Sequence, residues 1–312
     1  MTCITNMPRN HRLGISAGGA KDASPNLTII DQLAFISNSH VWTPQFAVDT
    51  GHRGNPWEAS EGVVYDKGSG SGAIVLIPRA DDLRNILPLL IGGAFSTNIL
   101  EPAAICDFFR IEADKAIQTH NHLDCKTASW TFASSAGSPL LQLDWSIESC
   151  RFATASAGTF TAGLSLSTQQ PFVQSSMTLT INSVTYKVDA VQVAGNNNLG
   201  TDIFYNSPTR TDLAMGNQGF TLTTTLPYDA AGDLNIQSLG QAATHVAAQL
   251  VYTSGSLSLT IDFPALHAPV STPISPAGQT ATRYEGIQWT ARSKVVSGSV
   301  VKPIKFTLDD TP

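Results

Sequence analysis

The sequence predicts a mainly β protein with two tandem β-rich domains. Three observations carry that expectation. Short runs of strict apolar–polar alternation recur along the 312 residues, which is the signature of strands with one buried face. Only one stretch shows clear helical spacing. A strand–Pro–Asp–helix pattern occurs twice, about half a chain apart, a period that fits duplicated domains and not a solenoid.

The elements follow in chain order. A strand is expected over 71–77, ending at Pro78. Leu83, Ile86, Leu87, Leu90 and Ile91 then fall at i, i+3, i+4, i+7 and i+8, one face of a helix. Asp81 or Asp82 is expected to cap its start and Gly92-Gly93 to stop it. Pro88 should kink or loosen its last turn. Trp130-Thr-Phe132 and Leu141-Gln-Leu-Asp-Trp-Ser-Ile147 read as a hairpin across Ser134-Ser-Ala-Gly-Ser-Pro139. Met177-Thr-Leu-Thr-Ile181 and Val184-Thr-Tyr-Lys-Val-Asp-Ala190 form another about Asn182-Ser183. A strand is expected over 219–226. Asp233, Ile236, Leu239 and Ala243 mark a weaker second helix. Ala248-Gln-Leu-Val-Tyr252 and Leu257-Ser-Leu-Thr-Ile-Asp-Phe263 make a third hairpin, and 286–291 and 303–308 complete the strands.

The repeat pairs Ala73-Ile-Val-Leu-Ile-Pro78 and the following Asp81-Asp82-Leu83 with Leu222-Thr-Thr-Thr-Leu-Pro227 and Asp233-Leu234. The domain boundary is placed in the Ala/Ser/Thr/Gly-rich stretch 149–163. The resulting division is a flexible N-terminal arm over 1–24, a first domain over 25–155 and a second over 156–312.

Composition excludes several functions. Charged residues are 13% of the chain, against about 25% in ordinary soluble proteins. A net charge of -6 argues against a nucleic-acid grip or a polybasic membrane contact. No apolar stretch of signal length follows a basic start, so no secretory signal is expected. The run Ile86-Leu-Pro-Leu-Leu-Ile91 is too short to span a bilayer. Cys3, Cys106, Cys125 and Cys150 lack Cys-x-x-Cys spacing and read as free thiols of a reducing compartment.

Candidate chemistry is sparse. His120-Asn-His122-Leu-Asp124-Cys125 is the one ligand-rich cluster. On a strand it would put His120, His122 and Asp124 on one face, as a mixed metal site needs. The plainer reading is a polar turn before a strand that starts at Cys125. Gly68-Ser-Gly-Ser-Gly72 suggests a phosphate loop, but a strand follows it where such a loop needs a helix N-terminus. Asp81-Asp82 and Asp309-Asp310 are explained by capping and solvation. Trp42, Trp57, Trp130, Trp145 and Trp289 would allow a sugar-binding stripe, although Trp145 sits at a core position of an alternating strand. No catalytic, cofactor-binding or metal residues are therefore assigned, no cofactor is expected, and the chain is read as a non-enzyme. Strand-rich domains with so few charges lack edge protection. Either loops cover the sheet edges or another copy pairs with them, and head-to-tail pairing that closes gives a ring.

Several segments resemble bacteriophage tail tube proteins. They are Leu33-Ala-Phe-Ile-Ser-Asn-Ser-His40, Gly51-His-Arg-Gly54, Gly70-Ser-Gly-Ala-Ile-Val-Leu-Ile-Pro-Arg-Ala-Asp-Asp-Leu83 and Leu87-Pro-Leu-Leu-Ile-Gly-Gly93. Ser176-Met-Thr-Leu-Thr-Ile181, Phe204-Tyr-Asn-Ser-Pro-Thr-Arg210 and Phe220-Thr-Leu-Thr-Thr-Thr-Leu-Pro-Tyr228 extend the likeness to about residues 30–308. The resemblance implies a tail-tube-like β-sandwich or open barrel with a flanking helix in each domain. It implies rings, trimeric and pseudo-hexameric or truly hexameric, stacked into a tube through which DNA passes without specific binding. Tail terminator, tail-tip and tape-measure proteins are the implied partners, the virion the location after synthesis in the host cytoplasm, and a sheathless flexible tail the setting. The polar stretches 41–62 and 195–216 are expected to be stacking loops. The alternatives are a virion or cell-surface β-sandwich binding glycan or receptor through Trp42 and Trp57, and a metal enzyme centred on His120, His122 and Asp124.

Overall fold

The computed structural model describes residues 11–48, 63–115, 118–156, 160, 164–227, 245–267 and 283–311. The chain is mainly β. Its first half carries β1 (Arg12–Ser16), β2 (Ile29–Gln32), β3 (Phe35–Asn38), β4 (Val41–Val48) and β5 (Val63–Leu76). The helix α1 (Ala80–Ile91) follows, then β6 (Ile99–Leu100), β7 (Phe109–Asp114), β8 (Gln118–Ser135) and β9 (Gln142–Ser156). The second half carries β10 (Met177–Ile181), β11 (Val184–Tyr186), β12 (Ala190–Asn196), β13 (Gly219–Pro227), β14 (His245–Ser254) and β15 (Leu257–His267). It ends with β16 (Arg283–Ala291), β17 (Lys294–Val296), β18 (Ser299–Val301) and β19 (Lys305–Asp309).

The expected hairpins form, and most strands run longer than the alternation indicated. Asn182 and Ser183 both take positive φ, 50° and 65°, the geometry of a two-residue hairpin turn. The stretch 184–190 is not one strand: β11 stops at Tyr186, and β12 starts at Ala190 in a different pairing. The stretch 149–156 belongs to β9, paired with β8 to its last residue, so it is not a linker. Residues 12–16 are no flexible arm either. β1 pairs with β2 and β7, and Leu13 and Ile15 are wholly buried, because this short apolar strand fills the gap between them. The weaker helix expected from Asp233 falls outside the described residues.

Pairing runs β4–β5–β9–β8–β12–β13–β16 across both halves. Here β8 does double duty. Its first part pairs with β7, and Ser129–Ser135 pairs with Ala190–Asn196 of the second half. No circuit of pairings closes among the described strands. One core runs through both halves. Trp130 on β8 meets Phe132, Phe220 and Phe306 at ring distances of 5.5, 6.1 and 6.0 Å. Trp130 faces Gly195 across the β8–β12 seam. A β-carbon at Gly195 would lie 2.3 Å from the indole, so the seam forms only around a glycine.

Helix α1 packs its apolar face into this core. Neither Asp81 nor Asp82 is its cap. Arg79 takes that position, and its N–H donates to Asp82 Oδ2 at 2.9 Å. The turn Pro78–Arg79 is extended, which starts the helix two residues earlier. The last turn does not loosen at Pro88, because its carbonyls are held by the helix's own cap and by side chains from outside. Gly92 N–H donates to Pro88 O at 2.9 Å. Thr127 Oγ1 donates to Leu89 O at 2.7 Å, and Trp145 Nε1 donates in turn to Thr127 Oγ1 at 2.8 Å. Asn197 Nδ2 donates to Leu90 O and to Thr127 O, both at 2.9 Å. Gln218 Nε2 reaches Ile91 O at 3.1 Å and Asn197 Oδ1 at 3.2 Å. Asn197 is fully buried, so its amide ties helix, β8 and the second half together.

Two predictions follow from this packing. Replacing Asn197 by Ala leaves buried carbonyls without donors and should cost about 2–4 kcal/mol in chemical denaturation. Burial pushes Asp82 up to about 7, with Asp31 and Asp81 adding to the rise. A carboxyl raised in the folded state stabilises fully at low pH and loses that contribution as pH rises toward 7. Asp82→Asn should therefore gain stability relative to wild type between pH 4 and pH 8, read from paired unfolding curves.

Candidate assembly surface

β4 and the first part of β5 project as a two-stranded arm. Val41–Val48 pairs with 63–71 of β5, so 41–48 is a paired strand and not a loop. Residues 49–62 lie outside the described residues. The arm is apolar and exposed: Phe46 shows 56% and Val64 61% of their surface, with Val48, Val63 and Tyr65 also exposed. Clustered exposed apolar side chains mark an interaction surface. β4 has no second strand neighbour among the described residues, and Pro44 within it lacks an N–H, as suits an edge.

The root of the arm is built by Gly68, Gly70 and Gly72, which share one face of β5. A β-carbon at Gly68 would lie 2.5 Å from the Trp42 ring and from Tyr65 Oη. At Gly70 it would lie 1.9 Å from Ser149 Oγ and 3.1 Å from His40 Cε1. Gly72, at φ 155°, leaves room for the backbone of His40, 2.4 Å from where its β-carbon would be. The motif that suggested a phosphate loop is thus a smooth track on which His40 and Trp42 lie.

Over this track sits a buried cluster. The His40 and His122 rings stand 4.2 Å apart at 67°. Phe152 touches His122 at 5.2 Å and His120 at 5.3 Å, and stacks on Trp42 at 6.1 Å. Both ring nitrogens of His40, Nδ1 of His122 and the Ser149 hydroxyl are buried and find no hydrogen-bond partner among the described residues. Arg210 reaches in from the segment between β12 and β13. Its Nη1 donates to Glu148 Oε2 at 2.5 Å and to Gly70 O at 3.4 Å. The same segment braces the arm elsewhere. Gly68 N–H donates to Pro208 O at 2.9 Å, Lys67 lies 4.7 Å from the Phe204 ring, and Tyr65 Oη donates to Pro208 O at 3.3 Å. The expected stacking loop 195–216 therefore packs on its own chain: Asn197 and Leu213 are fully buried.

The expected polar turn at His120–Asp124 is not found, since these residues lie inside β8. Nor do His120, His122 and Asp124 share a face. A bulge opposite Phe109–Ile111 and a φ of 51° at Asp124 turn its carboxylate away. It accepts from Arg151 Nε at 2.5 Å and from the Asp22 N–H at 2.9 Å. Among the described residues no three His, Cys, Asp or Glu side chains are placed to hold a metal ion. Cys106, Cys125 and Cys150 are free and buried. Burial pushes the thiols of Cys106 and Cys150 up to about 12, which keeps them protonated. Trp130, Trp145 and Trp289 are core residues, so they form no sugar-binding stripe. Trp57 is outside the described residues. Asp310 pairs with Arg84 at 2.5 Å, a tie to α1 and not only solvation.

The second surface is the open face of the seven-stranded path. Its inner side buries Trp130, Leu143, Trp145, Val193, Leu222 and Trp289. Its outer side presents Thr131, Asp144, Ser146, Gln192, Thr223 and Gln288, aligned by register. Asp144 is the one charge among these six. At the far end, β16 pairs with β13 along its length but meets β15 only at Thr290 and Ala291.

An open β-sheet with one polar, sparsely charged face and an exposed apolar arm is the architecture of a structural β-rich subunit. The chain belongs to the phage tail tube protein family, whose family model matches residues 60–291. It is a structural protein of the bacteriophage tail tube, located in the virion, where it assembles with itself and with other tail proteins. No curated protein matches the chain significantly. Among the described residues no helix is long and apolar enough to cross a membrane.

The glycine track gives a direct test. Gly70→Ala should lower stability by about 1–3 kcal/mol through overpacking. Adding Ser149→Gly should restore most of that loss in thermal unfolding, because the hydroxyl is the closest obstacle.

Proposed function

We propose that copies of this chain pair head to tail into closed rings, that the rings stack, and that the stack encloses the channel for genome ejection. The observation that carries this reading is the seven-stranded path whose end strands are mostly unpaired among the described residues: β4 has no second strand neighbour, and β16 meets β15 only at Thr290 and Ala291. Backbone groups on such edges need partners. A partner at each end that is the other end of a sister copy gives a heterologous contact, and a fixed rotation between copies closes it.

In this reading the two halves are tandem tube domains, the first running from β1 through β9 and the second following it, with the β8–β12 seam between them. A seam inside the chain and a like contact between chains favour a trimeric, pseudo-hexameric ring over a true hexamer. The outer side of the sheet becomes the channel wall. The six outer residues named above carry hydroxyls and amides with one carboxylate, and Glu148 farther along β9 is held by Arg210, so this wall offers DNA little cationic grip. The apolar arm becomes buried between rings. Tail terminator, tail-tip and tape-measure proteins meet the ends and lumen of such a tube, in a sheathless flexible tail.

Negative-stain electron microscopy of the purified protein tests this directly. Rings or tubes with an axial channel are expected at high concentration or with tail-tip partners, and persistent monomers would overturn the proposal. Phe46→Asp with Val64→Asp should abolish stacking while circular dichroism stays that of the folded chain.

A further inference from the structure

The His40–His122 cluster is at the point where the arm joins the body. His40 lies between β3 and β4, its backbone pressed on Gly72 and its N–H bonded to Asn38 Oδ1 at 2.9 Å. His122 is on β8, in the body of the sheet. The two side chains are nearly inaccessible, 4% and 2% exposed. A metal does not fit between them. Bonds of about 2.0 Å to each imidazole would hold the rings farther apart than their 4.2 Å separation.

The surroundings favour neutral rings. Arg210 faces His40 from the β12–β13 segment. His120 on β8 and Lys115 just before it face His122. Glu148 on β9 is the nearby carboxylate, and Arg210 already holds it. Phe152 and Trp42 close the remaining sides. A proton added to either imidazole would be a buried cation beside other cations, which low-polarity surroundings penalise heavily.

We propose that His40 and His122 form an acid-sensitive latch at the root of the arm: packed while neutral, they separate when protonated, and β4 parts from β5. Burial pushes His40 down to about 4 and His122 down to about 2, with Arg210 adding to the first and the neighbouring histidines to the second. An opened segment titrates near the ordinary value of 6.5. The open form therefore binds more protons between those values. The latch is intact above pH 6.5 and is lost as pH falls toward about 4. The idea needs the assembly reading only for its consequence, a tube whose inter-ring contact is set by pH.

Hydrogen–deuterium exchange of the full, unassembled chain tests it, with rates corrected for intrinsic pH dependence. Between pH 7 and pH 4.5, amides of 41–48 and 63–71 should lose protection about tenfold or more, while β14 and β15 keep theirs. His40→Gln with His122→Gln should reduce that loss to below twofold, and His122→Phe, which leaves His40 to titrate, should reduce it without removing it. Arm protection that does not change in wild type, that falls in step with β14 and β15, or that falls equally in a folded variant overturns the latch. Where a variant does not fold, the wild-type comparison of arm against β14 and β15 decides alone. A chain that never forms rings leaves this result standing, and a flat arm profile leaves the tube reading standing.

Discussion

The structure depends on the seam between β8 and β12. Seven residues of each strand pair there, and the pairing turns two sets of strands into one continuous path. The seam is possible because Trp130 meets a glycine, Gly195, where any side chain would collide with the indole. Below it, the Asn197 amide satisfies carbonyls of α1 and β8 together. Losing either contact leaves a large aromatic without a seat, or buried acceptors without donors. Both failures are expensive in a dry core.

That continuity sets the character of the two faces. One side of the path carries the tryptophans and aliphatics of the core. The other carries threonine, serine and glutamine with little charge. A chain with 13% charged residues carries such a face beside an exposed apolar arm. The ion pairs present are local braces. Arg84–Asp310 ties α1 to the end of β19, Arg210–Glu148 ties the β12–β13 segment to β9, and Arg110–Glu112 lies within β7.

Two motifs show how far local pattern carries. Glycines at 68, 70 and 72 repeat with strand period, so they share one face, and this much is readable from spacing. What the bare face receives is not readable, because Trp42 comes from β4 and His40 from the connection before it. At His120–Asp124 the same period puts three potential ligands together. A single bulge breaks that alignment, and one residue with positive φ sends Asp124 to Arg151. The bulge answers to the register of β7, which nothing within the motif encodes. His40 carried no local signal of its role, since its partner is 82 residues away on β8.

The amino-acid sequence by itself determined the β class, the hairpins with their turns, the presence of α1, its stop at Gly92 and its core face, and the low-charge surface. It also carried the likeness to tail tube proteins. Each of these is written in short-range periodicity, turn chemistry or composition, where the responsible residues are neighbours. Only the tertiary structure decided that β1 is a buried strand and that 41–48 is an arm. The same holds for the β8–β12 pairing of the two halves and for the seating of the histidines. Those outcomes turn on which distant segment fills a given edge or cavity. That choice is a competition among long-range contacts in one packed core, and local sequence does not contain it.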